Sequence, residues 1–357
     1  MSKFSSFLKR KDIVISARRY GIDALSAMAQ GLFCSLLIGT IIKTLGQQLG
    51  LAWLADIGGY ATAMSGPAMA VAIGFALHAP NLVLFSLAAV GYASNSLGGA
   101  GGPLAVLVIA IVAAEIGKMV SKETKIDMLV TPFVTILVGV GLAAIIAPPI
   151  GTAARWLGTL VERATLMQPF FMGILVSALV GIFLTLPISS AAICSVLGLT
   201  GLAGGAAVAG CCAQMVGFAV MSFRENRWGG LVSQGIGTSM LQMGNIVRNP
   251  KIWIPPILTS MITGPIATCV FKLQMNGAAI NSGMGTCGMC GPIGVITGWL
   301  SPTEEAIAEG AAAIVPTAFD WLGLALVCIV LPAVICWALG LVCRKLGWIK
   351  ENDLKLD

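Results

Sequence analysis

Charge is what this chain most lacks. Asp, Glu, Lys and Arg make up 10% of its 357 residues, where soluble domains carry about 25%. No soluble fold hides that deficit. With 57% hydrophobic residues and a mean hydropathy of +0.93, the chain reads as a polytopic membrane protein. Its apolar runs are continuous rather than alternating, which argues against barrel strands and predicts an all-α bundle.

Histidine is nearly missing as well, since His78 is the only one. With so few acids inside apolar runs, no nucleophile–base arrangement can be assembled. The sequence has no GxxxxGK[ST] run for a nucleotide. Intrinsic catalysis is not expected, and no cofactor is called for. The net charge of +6 is no nucleic-acid signal, because the basic residues sit in short clusters between spans and so report topology. A cleavable leader is not expected either. The first apolar run starts near Ala24, behind a basic tail and with no A-x-A site after it.

Ten cysteines are present, but they do not make a framework. Cys34, Cys194, Cys211, Cys212, Cys269, Cys328, Cys336 and Cys343 fall in or at the ends of expected spans, where a small thiol packs well. Only Cys287 and Cys290 form a C-x-x-C. Zinc would need further ligands, and no thioredoxin-like pattern surrounds the pair. Two small residues in a tight turn remain the plainer reading beside a redox one.

What is there, first, is a repeat. WLADIGGYATAM at 53–64 answers WLGTLVERATLM at 156–167, GFALHAP at 74–80 answers GIFLTLP at 181–187, and Gly98-Gly99-Ala100 answers Gly204-Gly205-Ala206. Three matches in one order argue for duplication. Repeats at 24–120 and 127–223 would each hold a span, an amphipathic connector, a span, a Pro break, a short span, a GGA turn and a fourth span. In the connector at 152–166, Trp156, Leu157, Leu160 and Val161 take one side and Arg155, Glu162 and Arg163 the rest. That suits a helix lying in the interface, as a linker or as a moving gate. The remainder comprises a basic segment at 224–251 and a C-terminal membrane unit at 252–343. That unit holds a span at 252–271, a Gly-rich hairpin at 276–299, the acidic residues Glu304, Glu305 and Glu309, and a last span from about 315 to 342. A basic tail at 1–23 and a tail at 344–357 flank the whole.

This makes ten spans with both ends on one side. The basic clusters of the N-tail, of 118–125, of 224–251 and of the C-tail then share that side, leaving only Lys43, Arg155, Arg163 and Lys272 for the other. The positive-inside rule puts both termini in the cytoplasm, and both repeats enter the membrane in the same sense.

The hairpin reads NGAAINSGMGTCGMCGPIGVITGW. It is too apolar for a solvated loop and too Gly-rich for a plain helix. Broken backbone at membrane depth is tolerated where protein buries it or where it lines a wet cavity, and in transporters such segments hold the substrate. Asn276, Asn281, Ser282 and Thr286, with Cys287 and the backbone around Gly283, Gly285 and Gly288, offer uncharged donors and acceptors that suit a polyhydroxyl solute. A Gly-packed loop that only plugs a cavity is the alternative. His78, at the end of a span in ALHAPN, and Asn245 complete the candidate solute set. For His78 the other reading is a satisfied helix end. Glu115 in IVAAEIGKM is either a site group or a partner of Lys118, and Asp320 in FDWLG is an interface anchor or a site group. Arg248-Asn249-Pro250-Lys251, with Arg224 and Arg227, could dock an acidic partner or a phosphate, or serve as a topology anchor.

The run GNIVRNPKIWIPPILTSMITGPIATCVFKL, followed by GMGTCGMCGPIGV, resembles a family of bacterial membrane proteins classed with the enzyme IIC components of the sugar phosphotransferase system. Some of its members are labelled perfringolysin-regulator-like toxin regulators. The resemblance implies a ten-helix fold in the cytoplasmic membrane, cytoplasmic ends, an interfacial helix, a re-entrant hairpin and homodimers. Sugar-binding members carry a Gly-Ile-Thr-Glu type motif in the hairpin. Here Gly283–Gly288 looks comparable and Thr286 would correspond, but the Glu is missing, and a fused phosphoryl-carrying IIA or IIB domain is not expected.

Two readings follow. One is a transporter of a small polar, sugar-like solute, with a separate IIB protein docking on Arg224, Arg227, Arg248 and Lys251 and supplying any phosphorylation. The other is a membrane sensor or regulator that keeps the fold without moving solute, which the missing Glu favours.

Overall fold

The computed structural model describes residues 3–308 and 310–356. The first two residues of the N-tail, Glu309 and the last residue of the C-tail lie outside the described residues. Contacts divide the chain into two compact units, Met1–Ala153 and Ala154–Asp357. Apart from one isolated antiparallel bridge between Gly201 and Met275, the described residues form helices and turns.

The first unit begins with α1 (Lys3–Arg10) and α2 (Arg19–Gln48). There follow α3 (Ala52–Ala63), α4 (Ser65–Ala76), α5 (Asn81–Gly98) and α6 (Gly102–Val120). The long α7 (Asp127–Thr165) starts here and continues into the second unit. Small residues let these helices touch backbone to backbone, the usual way to gain packing where lipid removes the hydrophobic drive. A Cβ on Gly66 would strike the Gly91 carbonyl, and one on Gly91 would strike the Gly66 carbonyl, locking α4 to α5. A turn at Gly99, with φ +49, folds α6 back onto α5.

One end of this unit is a compact ionic cluster. Lys118 is buried, and its Nζ donates to the carbonyls of Asp12 at 2.8 Å and Leu77 at 2.9 Å. It also pairs with Glu115 at 3.0 Å, and Tyr20 donates to the same carboxylate at 3.0 Å. Glu115 is therefore neutralised inside the fold.

The second unit contains α8 (Pro169–Thr185), the seven-residue α9 (Ser190–Val196), α10 (Gly201–Met221), α11 (Phe223–Val232), α12 (Pro250–Val270), α13 (Cys290–Leu300) and α14 (Ala318–Lys345). Contacts fix the directions of three of them. Gly210 abuts Ser177, Gly181 abuts Gly210, and Thr185 reaches Gln214, so α8 and α10 run parallel. Ser177 donates to the Ser260 carbonyl at 2.7 Å, Thr268 to that of Pro169 at 2.8 Å, and Trp253 to Gln214 at 2.9 Å, so α12 runs against both. Because α8 and α10 are parallel, residues 186–200 must return the length of α8, about 24 Å at helical rise. They do so with only the two turns of α9 and short turns and coil on either side.

Several boundaries differ from the sequence reading. Among the described residues, six helical stretches are long and apolar enough to cross a membrane, against ten expected spans: Arg19–Gln48, Asn81–Val120, Asp127–Thr165, Gly201–Met221, Pro250–Val270 and Ala318–Lys345. Ser65–Ala76, Pro169–Thr185 and Cys287–Leu300 are shorter apolar helices, and Asn81–Val120 is the folded-back pair α5 and α6. The connector expected at 152–166 is not a separate helix. It continues α7 through Pro148 and Pro149, because proline inside a helix removes individual ladder donors but need not end it. The last span starts at Ala318 under a capping box. The Thr317 amide and hydroxyl both donate to Asp320, at 2.8 and 2.7 Å, which gives that acid a capping role.

Candidate functional site

The Gly-rich segment folds as a hairpin. Its descending arm leaves Met275, which is bridged to Gly201 by two hydrogen bonds of 2.9 and 3.0 Å, and follows α10. Cβ atoms on Gly283 and Gly285 would strike α9 and the Cys211–Cys212 backbone of α10. Gly285 also has φ +52, so a side chain is disfavoured there on two counts. The chain turns near Cys287–Met289 and returns as α13. Glycines press the arms together: Gly277 lies on Gly294, and Gly298 on Asn276 and Gly277. The returning arm closes against the start when the Thr303 amide donates to the Asn276 carbonyl at 3.0 Å.

Near the tip, most of the expected polar groups already have protein partners. Ser282, fully buried, donates to the Leu199 carbonyl at 2.6 Å. The Gly283 carbonyl accepts from Ser190 at 2.6 Å, and the Thr286 hydroxyl reaches the Met215 sulfur at 3.6 Å. Cys287 and Cys290 are buried. Asn281, half-buried, packs against Gly294.

Asn276, at the base of the hairpin, differs from these. It stands in the wall of a cavity of about 420 Å³. The wall also includes Glu162 and Thr165 of α7, the turn around Gly198 and Gly201, and Gln274. Asn276 Nδ2 donates to Gln274 at 3.2 Å, while its Oδ1 is buried with no hydrogen-bond partner. A buried amide oxygen left unpaired costs about 1–3 kcal/mol, so this wall is incomplete as an internal structure.

The other expected site residues lie elsewhere. His78 belongs to the first unit, exposed, with Nδ1 3.0 Å from Asp12. Asn245 donates to Gln242 and to the Lys355 carbonyl, both at 2.8 Å. Arg224, Arg227 and Arg248 are exposed on the segment between α10 and α12, and Lys251 is exposed at the start of α12. Arg227 has φ +52, and the Lys251 ammonium sits 5.9 Å from the centre of the Trp348 ring.

A buried polar network escaped the sequence reading. Gln214, in the middle of α10, accepts from Trp253 at 2.9 Å and from Thr185 at 3.3 Å, and donates to Ser260 at 3.3 Å. Thr185 and Ser239 share a hydrogen bond of 2.8 Å. The available signal was a Gln inside GCCAQMVGF, an uncharged polar side chain within an apolar run.

Comparison with known proteins gives one assignment. The family described as "Phosphotransferase system, EIIC" matches residues 22–356. No curated protein and no solved structure gives a significant match. The match runs through both units and includes the hairpin, the cavity wall and the segment after α14. This multi-pass membrane protein belongs to the phosphotransferase system EIIC family.

Proposed function

We propose that the chain is a permease for a small polar, sugar-like solute, and that the solute binds at the base of the hairpin. One observation carries this reading: Asn276, in the wall of the cavity of about 420 Å³, keeps a buried Oδ1 without a partner. A solute hydroxyl arriving from that cavity, with a small shift of the amide, would supply the missing donor. The chain belongs to a family of transporter-type permeases. The interrupted return at 186–200 and the hairpin beside it are the kind of broken segments that frame substrate sites in transporters.

In this reading the hairpin at 276–299 is re-entrant, entering and leaving on the side of Met275 and Trp299. Ten crossings result when α5 and α6 count separately and residues 186–200 count as an interrupted crossing. The repeats at 24–120 and 127–223, cytoplasmic termini, a homodimer and a separate IIB protein docking on Arg224, Arg227, Arg248 and Lys251 complete the proposal. The exposure of those four side chains supports the docking surface.

The test is a thermal-shift screen of purified protein against neutral sugars, polyols and sugar acids, since a ligand of the folded state raises Tm. A selective neutral hit that disappears in Asn276→Ala supports the site. No hit across the panel rejects a sugar-like solute. That result would favour the second reading, a sensor or regulator that does not transport, for which the internally paired Ser282 and Thr286 are the supporting observation.

A further inference from the structure

After α14 the chain turns at Gly347, with φ +69, and residues 348–356 lie over the segment between α10 and α12. Four amide side chains hold the main chain of this stretch. Asn249 donates to the Trp348 carbonyl at 2.9 Å, Asn226 and Gln242 to the Leu354 carbonyl at 2.7 and 2.9 Å, and Asn245 to the Lys355 carbonyl at 2.8 Å. Asn226 Oδ1 accepts from the Leu356 amide at 2.8 Å. Leu354 is fully buried and Ile349 nearly so. Arg344 anchors the start by its pair with Glu225 at 2.7 Å.

This binding does not stop at the surface. Gln242 also donates to Gln234 at 2.9 Å, and Gln234 to Ser222 at 2.8 Å. The turn that carries Gln234, Ser233–Gly237, packs against Cys287–Met289 at the tip of the hairpin. Contacts thus run without a gap from residues 348–356, through two buried glutamines, to the hairpin tip.

The stretch is held by side-chain amides rather than by a helix or sheet ladder. Such bonds exchange for water at small net cost, and segments secured this way open locally before the core does. Leu354 and Ile349 are the large apolar groups that resist lifting.

We propose that residues 348–356 are a releasable strap, bound in a cleft of Asn226, Gln242, Asn245 and Asn249, that immobilises the support of the hairpin tip. The tip moves only when the strap is off. The proposal rests on the permease reading for the purpose of that motion, but its test uses no solute, so either can fail alone.

The experiment uses the full chain in lipid nanodiscs, with the Leu354→Asp variant and the Asn226→Ala/Asn245→Ala double variant. Hydrogen–deuterium exchange follows residues 346–356, and a maleimide probes the native Cys287, with buried Cys336 as control. We expect the strap amides of the unaltered protein to exchange at least about tenfold faster than those of α14. Both variants should speed strap exchange further and label Cys287 about tenfold faster, with Cys336 unchanged. Three results would overturn the proposal: strap exchange no faster than that of α14, unchanged Cys287 labelling after strap release, or Cys336 labelling that rises in step with Cys287.

Discussion

Ser190 and Gly283 join the two interrupted segments of the second unit. The serine hydroxyl donates to the glycine carbonyl at 2.6 Å, and a Cβ on Gly283 would meet the Ser190 carbonyl at 2.5 Å. The contact therefore has no room for a methyl group, while the hydrogen bond is only one of several ties between α9 and the hairpin.

Loss of the bond and loss of the space should separate. Ser190→Ala removes one hydrogen bond, worth about 0.5–1.5 kcal/mol. Gly283→Ala forces a methyl group against the Ser190 backbone, which costs about 1–3 kcal/mol. Tm in detergent, read by tryptophan fluorescence, should fall more for Gly283→Ala. A neutral Gly283→Ala would mean that the hairpin tip is not seated as described.

Gln214 gathers Trp253, Thr185 and Ser260 in the fully buried middle of α10. Gln214→Leu should cost about 1–3 kcal/mol, because it strands the Trp253 indole N–H. Adding Trp253→Phe removes that stranded donor and should restore part of the loss, since replacing both partners is cheaper than replacing one. Strictly additive losses in the double-mutant cycle would count against the coupling.

Asp12 gives the first unit a pH dependence. Its carboxyl is lowered from 3.8 to about 2, chiefly by the hydrogen bond from Arg19, with His78 and Lys118 assisting against partial burial. A carboxylate with a depressed folded-state pKa stabilises the fold fully above its unfolded value, and that stability is lost as pH falls through the folded value. The Tm gap between the unaltered protein and Asp12→Asn should be constant above about pH 5 and should vanish towards about pH 2. Glu123, also lowered by Lys11 and Arg10, titrates in both proteins and cancels in the difference. A gap that persists at pH 2 would exclude this role for the Asp12–Arg19 pair.

Part of the candidate site was legible in the sequence and part was not. Asn276 and the hairpin stood out because Gly-rich backbone between two apolar runs has few stable uses in a membrane. The division within the hairpin was not legible: Ser282 and Thr286 are occupied by Leu199 and Met215, while Asn276 keeps an unpaired oxygen. Which donor finds a partner depends on where α9 and α10 lie, and no local pattern records that. Asn245 looked like a solute ligand by type, yet it binds the Lys355 carbonyl, 110 residues away in sequence.

By itself the sequence determined the chemistry of the surroundings. Low charge and continuous apolar runs impose helices, because a lipid-facing backbone must satisfy its own hydrogen bonds, and Pro and Gly mark where those helices break. Tertiary structure alone decided how the breaks are used. The parallel packing of α8 and α10 forces the return of residues 186–200, brings Ser190 to Gly283, and leaves a cavity beside Asn276. It does so because helices that touch through Gly181, Gly210 and Gly264 have their direction fixed by close contact of backbones. Hydropathy carries no information about such contacts.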